Sequence, residues 1–158
     1  MRGKHMRRNR KGFTLAELLI VVAIIAVLVA IAIPVFSAQL KRAKVATTIA
    51  NLRSAYAEAS AAYLTGEPGN GHIIDASGST NGVKFIYATE VNMQSNLDFM
   101  YEFNMSQAES EKWEHEYFDP LPFPVAGIIG CDVGEDIPIW FFFKEDGSVD
   151  TDCQGPEY

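Results

Sequence analysis

The chain has 158 residues, with 13 Lys and Arg against 20 Asp and Glu, a formal net charge of −7, and 48% hydrophobic residues. The length fits one ordinary domain, the apolar content excludes intrinsic disorder, and the acidic balance argues against direct nucleic-acid binding, because an acidic surface repels phosphate. The charge is segregated: Arg2, Lys4, Arg7, Arg8, Arg10 and Lys11 fall in the first twelve positions, where there is no acid, whereas beyond Arg53 three basic residues face 19 acidic ones.

The basic head, residues 1–12, leads into a stretch without charge from Leu18 to Leu40, LLIVVAIIAVLVAIAIPVFSAQL, 23 residues long. As a helix it measures roughly 35 Å, enough to cross a hydrocarbon core of about 30 Å. A buried core helix of a soluble protein seldom runs this far without a polar face. The positive-inside bias then sets residues 1–12 in the cytoplasm and the acid-rich part outside, with Lys41, Arg42 and Lys44 weakening the bias without reversing it. A cleaved secretory signal fits poorly, since the apolar run is long and leads into Pro34, Val35 and Phe36. Glu17 is the anomaly at the membrane entry. A carboxylate there marks a partner or a pathway, or it lies at headgroup depth in the first helical turn and favours the helix dipole; the residues alone leave both readings open.

Lys11-Gly12-Phe13-Thr14-Leu15-Ala16-Glu17-Leu18-Leu19-Ile20-Val21-Val22, followed by Ala23-Ile24-Ile25 and Ala30-Ile31-Ala32-Ile33-Pro34, resembles the N-terminal signature of type IV prepilins and the related pseudopilins. The resemblance covers about residues 11–36. It implies a pilin fold of α+β class, in which a long kinked N-terminal helix, half protruding and transmembrane before assembly, packs on a small antiparallel C-terminal sheet. It also implies removal of residues 1–12 by a membrane-embedded prepilin peptidase, with cleavage between Gly12 and Phe13 and N-methylation of Phe13. Gly at such a junction leaves the scissile backbone unobstructed. In the family the carboxylate at the position of Glu17 pairs with the N-terminal amine of an adjacent subunit, so that it acts as a ruler for register. Further partners implied are an inner-membrane pilus assembly platform and other copies of the chain in a helical homo-oligomer. The implied location is the cytoplasmic membrane as a single-pass precursor, then the cell surface as an extracellular pilus. Ala26 stands where the family commonly has Gly, and as a better helix former it limits local unwinding before Pro34.

The organisation that follows is a leader, 1–12; a transmembrane or filament-core half-helix, 13–40; an amphipathic half-helix, 41–65; a variable connector, 66–124; and a sheet with a disulfide-bounded end, 125–158. Val45, Ile49, Leu52, Tyr56, Ala59 and Tyr63 form one apolar stripe at helical spacing, and Pro34 should kink the helix it sits in. Gly66-Glu67-Pro68-Gly69-Asn70-Gly71 should end the rod. Val83 to Tyr87 reads as a strand, Ser106-Gln107-Ala108-Glu109 has capping-box spacing for a short helix to about Tyr117, and Pro120, Pro122 and Pro124 predict extended chain. Gly127–Cys131, Ile137–Lys144 and Val149–Thr151 read as strands, the last two forming a hairpin around Glu145-Asp146-Gly147. Ile139-Trp140-Phe141-Phe142-Phe143, apolar on both faces, should be a central strand between the rod and the covering connector.

Cys131 and Cys153 both lie in the part assigned outside, where an oxidising compartment favours a disulfide. Their pairing resembles the bridge that bounds a C-terminal loop in many pilins; two free buried thiols are the alternative. No catalytic constellation occurs: His115 in Trp113-Glu114-His115-Glu116 lacks the second His of the zinc-protease motif, and there is no Gly-rich phosphate loop. No cofactor and no metal are expected, the acids at Asp132, Glu135, Asp136, Asp146, Asp150 and Asp152 reading as a solvated face rather than a calcium loop. The expectation is therefore a structural protein and not an enzyme. A major pilin leads, a pseudopilin of a type II secretion or DNA-uptake system or a minor pilin follows, and a membrane-anchored adhesion protein comes last. Once the leader is gone, Lys41, Arg42 and Lys44 are the main basic cluster and a candidate contact for neighbouring acidic heads.

Overall fold

The computed structural model of the chain describes residues 12–74, 76 and 82–155. Its first element is helix α1, Leu15–Thr65, 51 residues long and unbroken across Pro34. Two compact units divide at Gln39 and Leu40. In the first, every described residue, Gly12 to Gln39, is solvent-exposed. Backbone hydrogen bonding holds this segment helical without a packing partner, as expected of a run dominated by Ala, Leu and Ile. Pro34 brings no amide to the ladder, which leaves the carbonyl one turn before it without its usual donor. One turn on, the Ser37 hydroxyl donates to the Ile33 carbonyl at 3.0 Å.

The second unit is built on the rest of α1, whose buried face is Val45, Thr48, Ile49, Leu52, Ala55, Ala59 and Ala62. The expected stripe is present. Tyr56 and Tyr63 pack beside it half-buried. That sheet has four antiparallel strands in the order β1 (His72–Ile74), β2 (Val83–Met93), β3 (Gly134–Lys144), β4 (Val149–Asp152). Between β2 and β3 lie α2 (Phe99–Phe103) and α3 (Gln107–Tyr117). Register sets Tyr87 opposite Phe141 and Phe141 opposite Thr151. Tyr87, Ile139 and Phe141 are fully buried on the face toward α1, where the Tyr56, Phe123 and Phe141 rings pack within 6 Å of one another. The architecture is α+β, a long apolar N-terminal helix with a small antiparallel sheet.

Several expectations are corrected. Gly127–Cys131 is a turn, not a strand: the Val125 carbonyl accepts from both Ile128 N–H and Ile129 N–H, at 2.9 and 3.0 Å. A short apolar run cannot distinguish a strand from a tight turn that buries some of its residues, here Ile128 and Cys131. Gly127 lies so close to β4 that a Cβ there would stand 1.7 Å from the Thr151 carbonyl oxygen. The proline run is not extended throughout, because residues 118–120 turn, with Leu121 N–H donating to the Phe118 carbonyl at 2.9 Å. The strand expected to end at Tyr87 continues to Met93, and β1 adds a strand that three residues of sequence did not announce. The second face of β3 is not fully covered either: Trp140 and Phe142 remain half-exposed.

Candidate functional site

The residues that the signature singles out sit at the start of α1. Gly12 and Phe13 are both exposed, and a Cβ on Gly12 would meet nothing within 4 Å, so the junction is open on all sides among the described residues. Thr14 precedes the helix. Its N–H and its hydroxyl both donate to Glu17 Oε2 at 2.8 Å, while the Glu17 N–H donates back to Thr14 Oγ1 at 3.2 Å. This reciprocal arrangement is a capping box, which satisfies amides that the first helical turn leaves without partners. Both bonds to the carboxylate fall on one oxygen.

The sequence carried that signal in Thr14-Leu15-Ala16-Glu17, the same spacing that predicts the start of α3. There the Ser106 N–H and hydroxyl donate to Glu109 Oε2 at 3.1 and 2.7 Å. At the start of α1 the spacing is less conspicuous, because a carboxylate beside an apolar run reads first as a buried charge.

The two cysteines are joined, Cys131 to Cys153, 22 residues apart with Cα atoms 6.2 Å from each other. The bridge ties the chain after β4 to the chain before β3 and so closes the hairpin into a loop.

Two residues of the basic cluster at 41–44 make contacts within the chain. Lys41 Nζ donates to the Phe103 carbonyl at 3.1 Å and lies 5.6 Å from the Phe103 ring centre. Arg42 lies 5.5 Å from the Trp113 ring centre, and its guanidinium is 3.7 Å from the Glu116 carboxylate. Both cations thus fasten α2 and α3 to the chain's own helix. Trp113 and Glu116, three apart on one face of α3, were the only sequence hint, and nothing local says which helix they meet.

An exposed apolar helix with a capped carboxylate in its first turn, continuing as the spine of a small antiparallel sheet, is consistent with the α+β fold of a pilin. The family described as the prokaryotic N-terminal methylation motif matches residues 7–33. The chain is similar to the type IV wide pilus major component PilA4 of Thermus thermophilus, at 56% identity over 48 residues, 30% of this chain and 37% of that one. It is likewise similar to the type IV narrow pilus major component PilA5 of the same organism, at 56% identity over 50 residues, 30% of this chain and 43% of that one. The matched segment spans less than half the length of either relative, and no solved structure matches the chain. Over its N-terminal segment, then, the chain carries the methylation motif and is similar to components of type IV pili.

Proposed function

We propose that this chain is a structural subunit of a type IV pilus, of the major-pilin kind. It waits in the cytoplasmic membrane as a single-pass precursor with residues 1–12 inside and the sheet outside. A prepilin peptidase cleaves between Gly12 and Phe13, and Phe13 is N-methylated. An inner-membrane assembly platform then adds the subunit to an extracellular helical homo-oligomer, with Pro34 as the bend in its rod. The observation that carries this reading is the coincidence of the matched motif at residues 7–33 with uninterrupted exposure from Gly12 to Leu40. Such a surface far exceeds the apolar patch a soluble monomer tolerates and needs lipid or neighbouring copies to cover it. That both relatives are major components of pili favours a major pilin over a pseudopilin. The role is structural, with no catalytic step.

The structure sharpens the test of Glu17. Its cap needs only an acceptor oxygen, which Gln supplies equally well at this position, whereas pairing with a neighbour's α-amine needs the charge. Glu17→Gln therefore keeps the helix start and removes the ruler. Filament yield from cells carrying this variant should fall to that of Glu17→Leu, with membrane insertion unchanged; normal filaments from Glu17→Gln would reduce Glu17 to a cap. N-terminal sequencing of sheared surface filaments should begin at a methylated Phe13, and a retained leader there would reject the processing step.

A further inference from the structure

The face of the sheet turned away from α1 holds a cavity. Side chains alternate across a strand, so with Tyr87, Ile139 and Phe141 buried toward α1, their neighbours Ala88, Pro138 and Trp140 stand on the opposite face. Register lines them up: His72 pairs with Ala88, Ala88 with Trp140, and Glu90 with Pro138. Around them opens a space of about 450 Å³, with Asn70 and Asp136 also in its lining. That volume falls within the range of small-molecule sites. Every residue that lines it belongs to the second compact unit.

Trp140 is half-exposed, and a Cβ on Gly155 would stand 3.1 Å from its Cε2 and Cζ2 atoms, so the chain beyond β4 lies against the indole and holds it in place. Pro138 extends this apolar floor. Glu90 and Asp136 are exposed, and among the described residues no ion pair engages either carboxylate. Asp136 lies in a β-bulge: from Val91 opposite Ile137 to Met93 opposite Gly134, two steps along β2 match three along β3. Its φ of 58° is left-handed, uncommon for a residue other than glycine. Bulges and such outliers gather where a side chain is re-aimed at a site. His72 and Asn70 add an imidazole and an amide, which offer donors as well as acceptors, and no lysine or arginine lines the cavity among the described residues.

This lining selects among ligands. Two carboxylates repel an anion, and a wholly apolar molecule would leave them without partners. A cation would use only the acceptors, since ammonium and guanidinium groups accept no hydrogen bond. A sugar hydroxyl both donates and accepts, and the C–H face of a pyranose is apolar enough to lie on an indole. We propose that this cavity binds a neutral saccharide, one pyranose ring stacked on Trp140 with its hydroxyls donating to Glu90 and Asp136 and exchanging hydrogen bonds with Asn70 and His72. The site goes beyond the structural role proposed above, and neither depends on the other.

The test places the full-length subunit, labelled with ring-fluorinated tryptophan, in phosphatidylglycerol nanodiscs. Its two tryptophans are Trp113 and Trp140, and Trp140→Phe assigns their fluorine resonances. Glucose, galactose, mannose, N-acetylglucosamine and N-acetylgalactosamine are titrated separately, with arginine amide as the cationic probe. At least one sugar should move the Trp140 resonance saturably at millimolar concentration while the buried Trp113 stays in place. Glu90→Ala removes one acceptor and should weaken that binding about tenfold, the worth of a charge-assisted hydrogen bond. Should Glu90→Ala disturb the Trp113 resonance, Asp136→Asn takes its place, because Asn tolerates the left-handed backbone, with a severalfold loss expected. No movement of Trp140 with any of the five sugars overturns the proposal. Tighter binding of arginine amide than of every sugar assigns the cavity to a cation and overturns it as well. Equal movement of both tryptophans, or a sugar affinity indifferent to the variant, reduces the effect to non-specific contact and equally overturns it.

Discussion

The two halves of α1 belong to one helix and have opposite fates. From Leu15 to Leu40 all side chains are exposed, whereas from Val45 to Ala62 seven are buried against the chain's own sheet. Helix formation does not separate them, since both are helical, although Leu, Ile and Val crowd the first half while Ala dominates the apolar residues of the second. The difference lies in what interrupts the apolar residues. In the second half Lys44, Arg53 and Glu58 stand off the stripe, so one face is left for a partner and one for water. The first half is apolar all round, and a helix of that kind must be covered on every side, by lipid or by other copies. Apolar content thus says that a helix will be covered, and the pattern of interruptions says how much of the cover its own chain can supply.

That contrast can be broken most strongly at Leu52, which is fully buried. Leu52→Ala should cost the head about 2–5 kcal/mol through lost transfer energy and a residual cavity. The loss would appear in urea unfolding followed by near-ultraviolet circular dichroism, with vesicle flotation unaffected. An unchanged midpoint would mean that the second half does not carry the sheet. Val29→Asp should give the reverse signature. It should weaken insertion by about 2.5–3.5 kcal/mol, the cost of a charge near the centre of a membrane helix, and leave the head's spectrum unchanged; a perturbed spectrum would show that the first half contributes to the head after all.

The disulfide sharpens the same comparison from the other side, because it acts only on the head. With the cysteines 22 positions apart, Cys131→Ser should lower unfolding stability by about 3 kcal/mol in the chain-entropy picture. The native chain in reductant should fall to the value of the variant, and a native chain indifferent to reductant would count against the bridge as a stabilising element.

The smallest effect concerns the cap of α3. Glu109 is held below the usual carboxylate range by the Ser106 hydroxyl first and the Ser106 N–H second. A depressed folded-state pKa contributes stability above the unfolded value and loses it as pH falls through the folded one. Acidification below the ordinary glutamate range should therefore release amide-exchange protection in the first turn of α3, while the buried strands keep theirs. Equal protection of that turn at neutral and acid pH would show that the carboxylate is dispensable.

The features legible in the sequence are local or periodic. Gly12, Phe13 and Glu17 stand in a contiguous motif, the stripe from Val45 to Tyr63 repeats at helical spacing, Ser106 and Glu109 are three apart, and Glu145-Asp146-Gly147 turns the β3–β4 hairpin. Each is encoded within a few residues of itself. The Thr14–Glu17 box was equally local and was masked by the stronger membrane signal around it.

What only the tertiary structure decided is a matter of partners distant in the chain. Lys41 meets Phe103 across 62 residues, and Arg42 meets Trp113 and Glu116. Strand β1 exists because β2 offers it an edge, and residues 127–131 turn because the backbone of β4 already occupies the space beside Gly127. The sequence by itself determined that one half of α1 must be covered from outside the chain and the other from within, since that follows from periodicity and charge. Which residues do the covering follows from packing, where non-local contacts choose among several locally acceptable conformations.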